Sequence, residues 1–559
     1  LRGARWQVAS AEVPPELAGH YPVLMARIMA GRGIKTLEAA ELFLAGDARL
    51  SNDWRLLPDI RPAMARIYRA ILSGERIAVY GDFDTDGITA TALMVTGLRS
   101  LGAEAIPYIP HRLTEGYGLK TDALKKLAEE GVSLVVSVDC GITAVTEVKE
   151  AKRFGLDVII TDHHLPLETL PPAVAMIDPR RVDSVYPFQD LAGVGVAFKV
   201  VEALFAGMGR PLPKEHFLEL AAIGTVADIM PLTGENRYLV KEGLKHLNDH
   251  PSPGLLEIIN MARLRAGQLD AESISWQVAP RLNAAGRLEH AIMGYDLLMA
   301  ATPDKAKDLA LILEDRNLER QRLTAKFVAR AREQVLSGPL DPLLLVEDAE
   351  CPPGILGLVA GRLSDEFYRP SIVIRREDGM ATASCRSIPG FNITQAIDQC
   401  GHLLCHYGGH AQAAGFSLKT EDLPKLSSLI SEIAAKEIAS IDLQPVLTID
   451  TEARFHEIGG NLFQILNRLG PFGEANRPPL FVSRCVTVLD HRTMGNAQEH
   501  IKMRLTQGGS VWEAVAFRQA EEMKKLLPGP IDVVYNLELD KFNGRETLRL
   551  NIVDFAAAS

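Results

Sequence analysis

The chain has 559 residues, of which 47% are apolar and 23% charged, with a formal net charge of −11. The length calls for several domains, and the balance excludes wholesale disorder. The negative sum argues against a nucleic-acid binder working through bulk charge, but it leaves room for local cationic patches, and cations held by acids would reverse the field there. Residues Trp6 to about Pro58 read as helical, with apolar spacing at Leu24, Ile28, Leu37, Leu42 and Phe43, so residues 1–60 form an N-terminal helical segment with a packing role. Arg61 to Ser73 reads as an amphipathic helix. The run Ile77-Ala78-Val79-Tyr80 is short and rich in Ile and Val, which suits a buried strand, and it ends in Asp82, Asp84 and Asp86 before Gly87 and a helix-like stretch from Ile88 to Ser100. Three carboxylates just past a strand repel one another, and a hard divalent cation is the simplest thing to hold them together. A solvated acidic turn with an N-cap at Asp86 is the other reading, and calcium loops look similar.

The same grammar recurs. Ser133 to Val138 ends in Asp139, and Asp157 to Thr161 ends in Asp162-His163-His164, with helical patterning over Thr121 to Glu130 and Thr143 to Phe154. Alternating strands and helices predict a doubly wound parallel sheet, whose functional groups collect beyond the carboxyl ends of the strands. Asp84, Asp86, Asp139, His163 and His164 then share one edge. A fourth element, Glu219 to Asp228, adds another acid before Met230-Pro231. Asp178 precedes Pro179 and reads as a turn acid. Within Leu191 to Phe205, LAGVGVAF supplies glycines for close helix packing or, alternatively, a phosphate loop.

The stretch SWQVAPRLNAAGRL carries Arg281, Asn283 and Arg287, which suit either a salt-bridged helix end or a phosphate clamp. Pro303 to Leu336 reads as one long basic helix, either a solvated face or a linker flanking a nucleic-acid groove. Strand-like Pro342 to Val346 opens a further domain, with a helix over Gly354 to Ser364 and a strand over Pro370 to Ile374. ATASCRSIPGFN places Ser384 and Arg386 after a strand, and His406-Tyr407-Gly408-Gly409-His410 offers glycines where backbone must come close to something. A polar helix-like segment, Glu421 to Ser440, precedes the last region. From Leu443 onward, short strand signals separated by Gly and Asn turns suit a small closed barrel, an OB-fold. Trp512, Phe517, Tyr535 and Phe542, with Lys502, Arg504 and Arg545, offer stacking and backbone contacts to a single strand; barrel core is the alternative at each aromatic position.

No apolar run spans a bilayer, LRGARWQVAS holds no secretory core, and the six cysteines form no C-x-x-C pair. A cytoplasmic setting with no membrane partner is expected.

YGDFDTDG, SVDCG, TDHH and VADIMPL resemble the four motifs of the DHH phosphoesterase family, and GGHAQAAGF resembles its DHHA1 module. The resemblance covers nearly the whole chain and is nearest to the family's single-strand-specific 5′-to-3′ DNA exonucleases. It implies an α/β fold: a parallel-sheet DHH domain over 61–253, connecting helices over 254–336 that include the long linker helix, an α/β DHHA1 domain over 337–440 and an OB-fold β-barrel over 441–559. It implies two ions, Mn²⁺ or Mg²⁺, with Asp139 as bridging ligand, Asp84 on one side, and Asp86, His163 and Asp228 on the other. His164 completes the shell or contacts the scissile phosphate, and Asp82 is a ligand or a base behind the ligands. Tyr80 stands where many smaller members carry a His ligand. Arg281, Ser384, Arg386, Gly409 and His410 would receive the terminal 5′ phosphate. Single-stranded DNA is the implied substrate, with a single-strand-binding protein and a RecQ-type helicase as partners and DNA repair and recombination as the setting. The rival readings are a DHH phosphodiesterase of short oligonucleotides or cyclic dinucleotides, and a non-catalytic single-strand-binding scaffold.

Overall fold

The computed structural model describes residues 4–9, 11–540 and 546–558. The chain divides into two compact units, one made of 50–443 and the other of 1–49 together with 444–559.

The first of these holds the expected parallel sheet. Its five strands run in the order Glu104–Tyr108, Arg76–Tyr80, Val132–Val138, Asp157–Thr161, Ala175–Ile177, all parallel. Val132–Val138 and Asp157–Thr161 are buried on both faces, which is why they read as continuous apolar runs rather than alternating ones. One face packs on the helices Thr85–Ser100, Gly193–Gly207 and Lys214–Ala227, and the other on Thr121–Glu129 and Val145–Arg153. The fourth acid-bearing element is thus a helix, Lys214–Ala227, with Asp228 as its C-cap.

The 34-residue helix Pro303–Leu336 leads to a second sheet. Its order is His406–His410, Ala413–Lys419, Met380–Arg386, Ser371–Glu377, Leu344–Glu347, antiparallel except for the last pair. The basic appearance of the long helix is largely cancelled. Arg316 pairs with Glu289, Arg322 with Glu319, Arg330 with Asp348 and Glu350, and Arg332 with Glu366.

The other unit is a closed barrel. Strands Phe481–Met494, His500–Gln507, Ser510–Ala516, Thr547–Ala557 and Ile531–Asp540 follow one another, and the last pairs back onto the first. Residues 1–49 are not helical throughout. Arg5–Val8 is a strand paired in parallel with Val446–Ile449, and the helices after it place Leu17, Met25 and Ile28 in one apolar cluster with Phe481 and Tyr535 of the barrel. The helical spacing was real, but Arg5-Trp6-Gln7-Val8 is too short for a period and finds its partner far along the chain.

In the barrel, the structure decides between stacking and core. Tyr535 is fully buried, its hydroxyl 2.9 Å from that of Ser483, so it is core rather than a stacking platform. Trp512 is half-buried and donates its indole N–H to the Phe455 carbonyl at 3.1 Å, and Lys502 and Arg504 pair with Glu513 and Asp490. Phe517 stays exposed beside His500, whereas Phe542 and Arg545 lie outside the described residues.

Candidate active site

The strand Arg76–Tyr80 delivers its acids through a turn that only glycine permits. Asp84 caps the helix Thr85–Ser100, its Oδ1 accepting from Gly87 N at 3.1 Å, so the helix begins three residues before Ile88 and the cap is Asp84 rather than Asp86. A Cβ on Gly87 would lie 2.5 Å from the Asp82 carbonyl oxygen, which no side chain tolerates. Asp86 then points sideways, and both of its oxygens accept backbone N–H groups at the start of the helix Gly193–Gly207, from Gly193 at 2.7 Å and Val194 at 2.9 Å. This answers the question posed by LAGVGVAF. Gly193 sits so close to Asp139 that a Cβ would fall 2.5 Å from the Asp139 Cβ. Asp139 itself adopts φ 60°, a conformation that Asp tolerates better than most residues.

The result is one crowded group. His163 Nε2 lies 3.1 Å from Asp139 Oδ1, 3.6 Å from Asp228 Oδ2 and 3.9 Å from Asp86 Oδ2. Three sets of donor atoms lie within 4.8 Å of one another: Asp82 with Asp84 and Asp139, Asp86 with His163 and Asp228, and Asp139 with His163 and His164. Burial, and after it the neighbouring carboxylates, pushes Asp82 and Asp139 well above the usual carboxylate range, Asp86 up to about 7 and Asp228 up to about 9. Burial, and then the His164 cation, pushes His163 down to about 3, so its imidazole is neutral, as a metal ligand must be. Asp82 Oδ1 is buried with no hydrogen-bond partner. Buried carboxylates that repel one another, a neutral imidazole among them and an orphaned oxygen form a donor set lacking positive charge. Oxygen-rich ligation with one imidazole fits Mn²⁺ or Mg²⁺.

Asp162, ahead of the two histidines in TDHH, orients both of them. Its Oδ1 accepts from His164 Nδ1 at 2.7 Å and from the His163 and His164 backbone N–H groups, while its Oδ2 accepts from Ile142 N at 2.9 Å. Burial alone would lower the His164 pKa, but the Asp162 hydrogen bond and charge outweigh it and raise it to about 9. His164 is therefore an imidazolium at neutral pH, with the Tyr117 hydroxyl beside it. Tyr80 is turned away, its hydroxyl donating to the Gly118 carbonyl at 3.1 Å and its ring stacked on Tyr108. Asp178 is the expected turn acid, and it is fully buried. Its Oδ1 accepts from Arg180 N, and burial raises its pKa to about 7.

A second cluster carries the opposite charge. Arg287 is held by its hydrogen bond to the Gly354 carbonyl at 3.2 Å. Burial first, then the charges of Arg112, Arg320 and Arg386, lowers its pKa to about 9. Arg112 lies over the Phe83 ring at 4.6 Å. Ser384 and Arg386 share a strand and face the helix Pro353–Phe367. A Cβ on Gly357 would lie 2.9 Å from Ser384 Oγ and 3.1 Å from an Arg386 nitrogen, so a glycine there makes room for both. His410 reaches the acid cluster, stacked parallel to His164 with ring centroids 6.0 Å apart. Gly409 owes its lack of a side chain to its neighbour strand, since a Cβ would lie 2.4 Å from the Ala413 carbonyl oxygen. Arg281 is not among these groups. It is committed to a two-pronged ion pair with Glu314, at 2.6 and 3.1 Å, so of the two arginines in PRLNAAGRL it is Arg287 that joins the cluster. Asn283 between them accepts from Thr85 N at 2.9 Å and so ties this helix to the acid loop. Reading the stretch at helical spacing would have separated the arginines, because positions 281 and 287 lie on different faces.

Known proteins show the same order of parts. The profile of the DHH family, N-terminal domain, matches residues 76–225, that of the DHHA1 domain residues 340–436, and that of the RecJ OB domain residues 449–554. The single-stranded-DNA-specific exonuclease RecJ of Bacillus subtilis is 39% identical over 544 residues, 96% of this chain and 68% of that protein. RecJ of Dickeya dadantii is 33% identical over 574 residues, 98% of each. The crystal structure of RecJ from Thermus thermophilus in complex with Mn²⁺ superposes with a TM-score of 0.86 at 30% identity, covering 100% of this chain and 80% of that one, and the Mg²⁺ complex gives 0.78. With three domain profiles in sequence and relatives this similar along almost the whole chain, the protein belongs to the RecJ family of DHH proteins.

Proposed function

We propose that the protein is a metal-dependent, single-stranded-DNA-specific 5′-to-3′ exonuclease that releases 5′ mononucleotides in DNA repair and recombination, acting in the cytoplasm beside a single-strand-binding protein and a RecQ-type helicase. The observation that carries this reading is the meeting of the two clusters: His410 of the second sheet stacks on His164 of the acid cluster, with Arg112, Arg287 and Arg386 close by. Asp82, Asp84 and Asp139 would hold one ion, and Asp86, His163 and Asp228, with Asp139 shared, the other. Bound there, the ions supply a nucleophilic water and neutralise charge on the phosphate being cleaved. Where Asp84 and Asp139 alone hold that ion, the unpartnered Asp82 oxygen is instead placed to accept the proton of the attacking water. His164, kept cationic by Asp162, lies against the scissile phosphate. Ser384, Arg386 and Arg287 receive the strand's terminal 5′ phosphate, with His410 and the backbone at Gly409 closing over it. Arg281 holds Glu314 and contributes to packing only. A terminal phosphate held in a fixed pocket beside the acids limits cleavage to one nucleotide at a time.

The test is digestion of 5′-labelled and 3′-labelled single-stranded DNA in Mn²⁺ beside a blunt duplex. Immediate release of the 5′ label as mononucleotide, with the duplex intact, is expected. Loss from the 3′ end, or cleavage of dinucleotides only, would shift the reading to the smaller phosphodiesterases. Binding without cleavage would leave a scaffold.

A further inference from the structure

Beside the arginine cluster lies a cleft that shares Arg287 with it but whose other arginines, Arg320 and Arg362, take no part in these roles. It is framed by the helices Ala279–Leu288, Pro303–Leu336 and Pro353–Phe367 and has a volume of about 560 Å³. Arg287, Arg320 and Arg362 line it, together with Val328, Leu358 and Trp276. No carboxylate lines it among the described residues. That is unusual for this helix, where Arg316, Arg322, Arg330 and Arg332 each meet a Glu. Arg320 instead touches only the Asn317 side-chain oxygen, at 2.8 and 3.3 Å, and Arg362 has no ion-pair partner among the described residues. Trp276 is 64% exposed, which leaves a large apolar ring facing solvent beside three cations. It sits in a π-helical turn, Ile274–Val278, a distortion that often marks a functional site.

We infer that this cleft binds a free nucleoside 5′-monophosphate, the phosphate on Arg320 and Arg362 and the base stacked on Trp276. Guanidinium groups without acids select phosphate, and an exposed indole selects a flat aromatic base. The volume lies within the roughly 300–1,000 Å³ that small-molecule sites occupy, which suits one nucleotide rather than a strand. The choice of a nucleotide rests on the exonuclease reading, whose product is such a molecule. Arg287 borders the cleft and also joins Arg386 in the proposed terminal-phosphate pocket, so a mononucleotide leaving that pocket has a second cationic site at hand. Asn283, on the cleft wall, holds the Thr85 backbone between Asp84 and Asp86. Occupancy is thereby coupled to the acid loop, and accumulated product slows the enzyme through this contact.

Equilibrium dialysis of dAMP against the full chain in EDTA tests the site, first alone and then with the chain saturated by a nuclease-resistant, 5′-phosphorylated phosphorothioate oligonucleotide. One dAMP per chain is expected to remain bound in the presence of the oligonucleotide. Trp276→Ala and Arg362→Glu, changes at exposed positions on different elements, should each weaken that binding about tenfold or more. Both variants should digest single strands within about twofold of the wild type at low product, yet lose inhibition by added dAMP. Complete displacement of dAMP by the oligonucleotide would mean that the cleft is part of the strand's own path and would overturn the proposal, as would unchanged dAMP binding in both variants. Failure of the two readings is distinguishable. A wild type that binds dAMP but digests nothing retains the cleft and loses the exonuclease, whereas normal digestion without dAMP binding does the reverse.

Discussion

The acid cluster and the arginine cluster are the same structural problem solved with opposite signs. In most of this unit, buried charge is paired: Arg281 with Glu314, Lys199 with Glu235 at 3.1 Å, Arg181 with Asp59. At the sheet edge, Asp82, Asp86 and Asp139 are buried with far too little positive charge around them. In the neighbouring cluster, Arg287 feels Arg112, Arg320 and Arg386, offset in part by Asp84. Uncompensated buried charge is costly, so such clusters are retained where the missing counter-charge comes from outside the chain. A divalent cation fits the first, and the proposed function supplies a phosphate to the second. What separates a site from a structural ion pair here is the absence of a partner, not the presence of charge.

The most severe way to break this pairing of clusters is at Asp139, which touches two of the three donor sets. Asp139→Asn should lower the rate of 5′-label release by ~10³-fold while strand binding and circular dichroism are retained. Full activity in that variant would sink its role. A test of the arginine side sets Arg287→Ala against Arg281→Ala. The first should cost ~10²-fold on 5′-phosphorylated strands and far less on 5′-hydroxyl strands. The second should lower the melting temperature and leave the preference for a 5′ phosphate intact. A lost preference in Arg281→Ala alone would reverse the assignment.

Titration sharpens the comparison further. Asp228 is raised to about 9 and Asp86 to about 7, and His164 is raised to about 9, whereas unfolded Asp and His titrate near ~4 and ~6.5. Between pH 6 and 9 the folded, metal-free chain therefore holds more protons than the unfolded one, and its stability falls as pH rises. Mn²⁺ replaces those protons, so the melting-temperature gap between Mn²⁺ and EDTA should widen by ~5 °C or more from pH 6 to pH 9. A gap that stays flat or narrows contradicts the charge deficit. The smallest effect belongs to the barrel. Tyr535→Phe removes one buried hydroxyl contact and should cost ~1 kcal/mol in urea unfolding, with digestion unchanged.

How much of this was legible follows from distance along the chain. Strand ends carrying Asp82 to Asp86, Asp139 and Asp162-His163-His164 are local patterns, and the parallel sheet that gathers them follows from alternation alone. The long helix Pro303–Leu336 was equally local, an unbroken stretch without glycine. The choice between Arg281 and Arg287 was not, because it depends on Glu314 arriving from another helix. Arg112 and Tyr117 sit in an irregular segment with no period to read, and Asp162 was masked by the two ligand-like histidines after it. Arg5–Val8 failed for the same reason on a larger scale, its partner strand beginning at Val446. Tyr535 was an aromatic in an alternating strand, where inside and outside differ by one residue of register.

That pairing of Arg5–Val8 with Val446–Ile449 bears on the order of synthesis. The barrel unit is discontinuous, and the whole of 50–443 is inserted between its two parts. On the ribosome the first helices emerge long before the strands that bury Leu17, Met25 and Ile28, while the inserted unit already has every residue of its own core. The catalytic unit can thus complete its fold during translation, whereas the early apolar helices wait for the last strands. A chain stopped near Leu443 would keep both charged clusters and leave those helices without their core, a nascent species that invites chaperone capture.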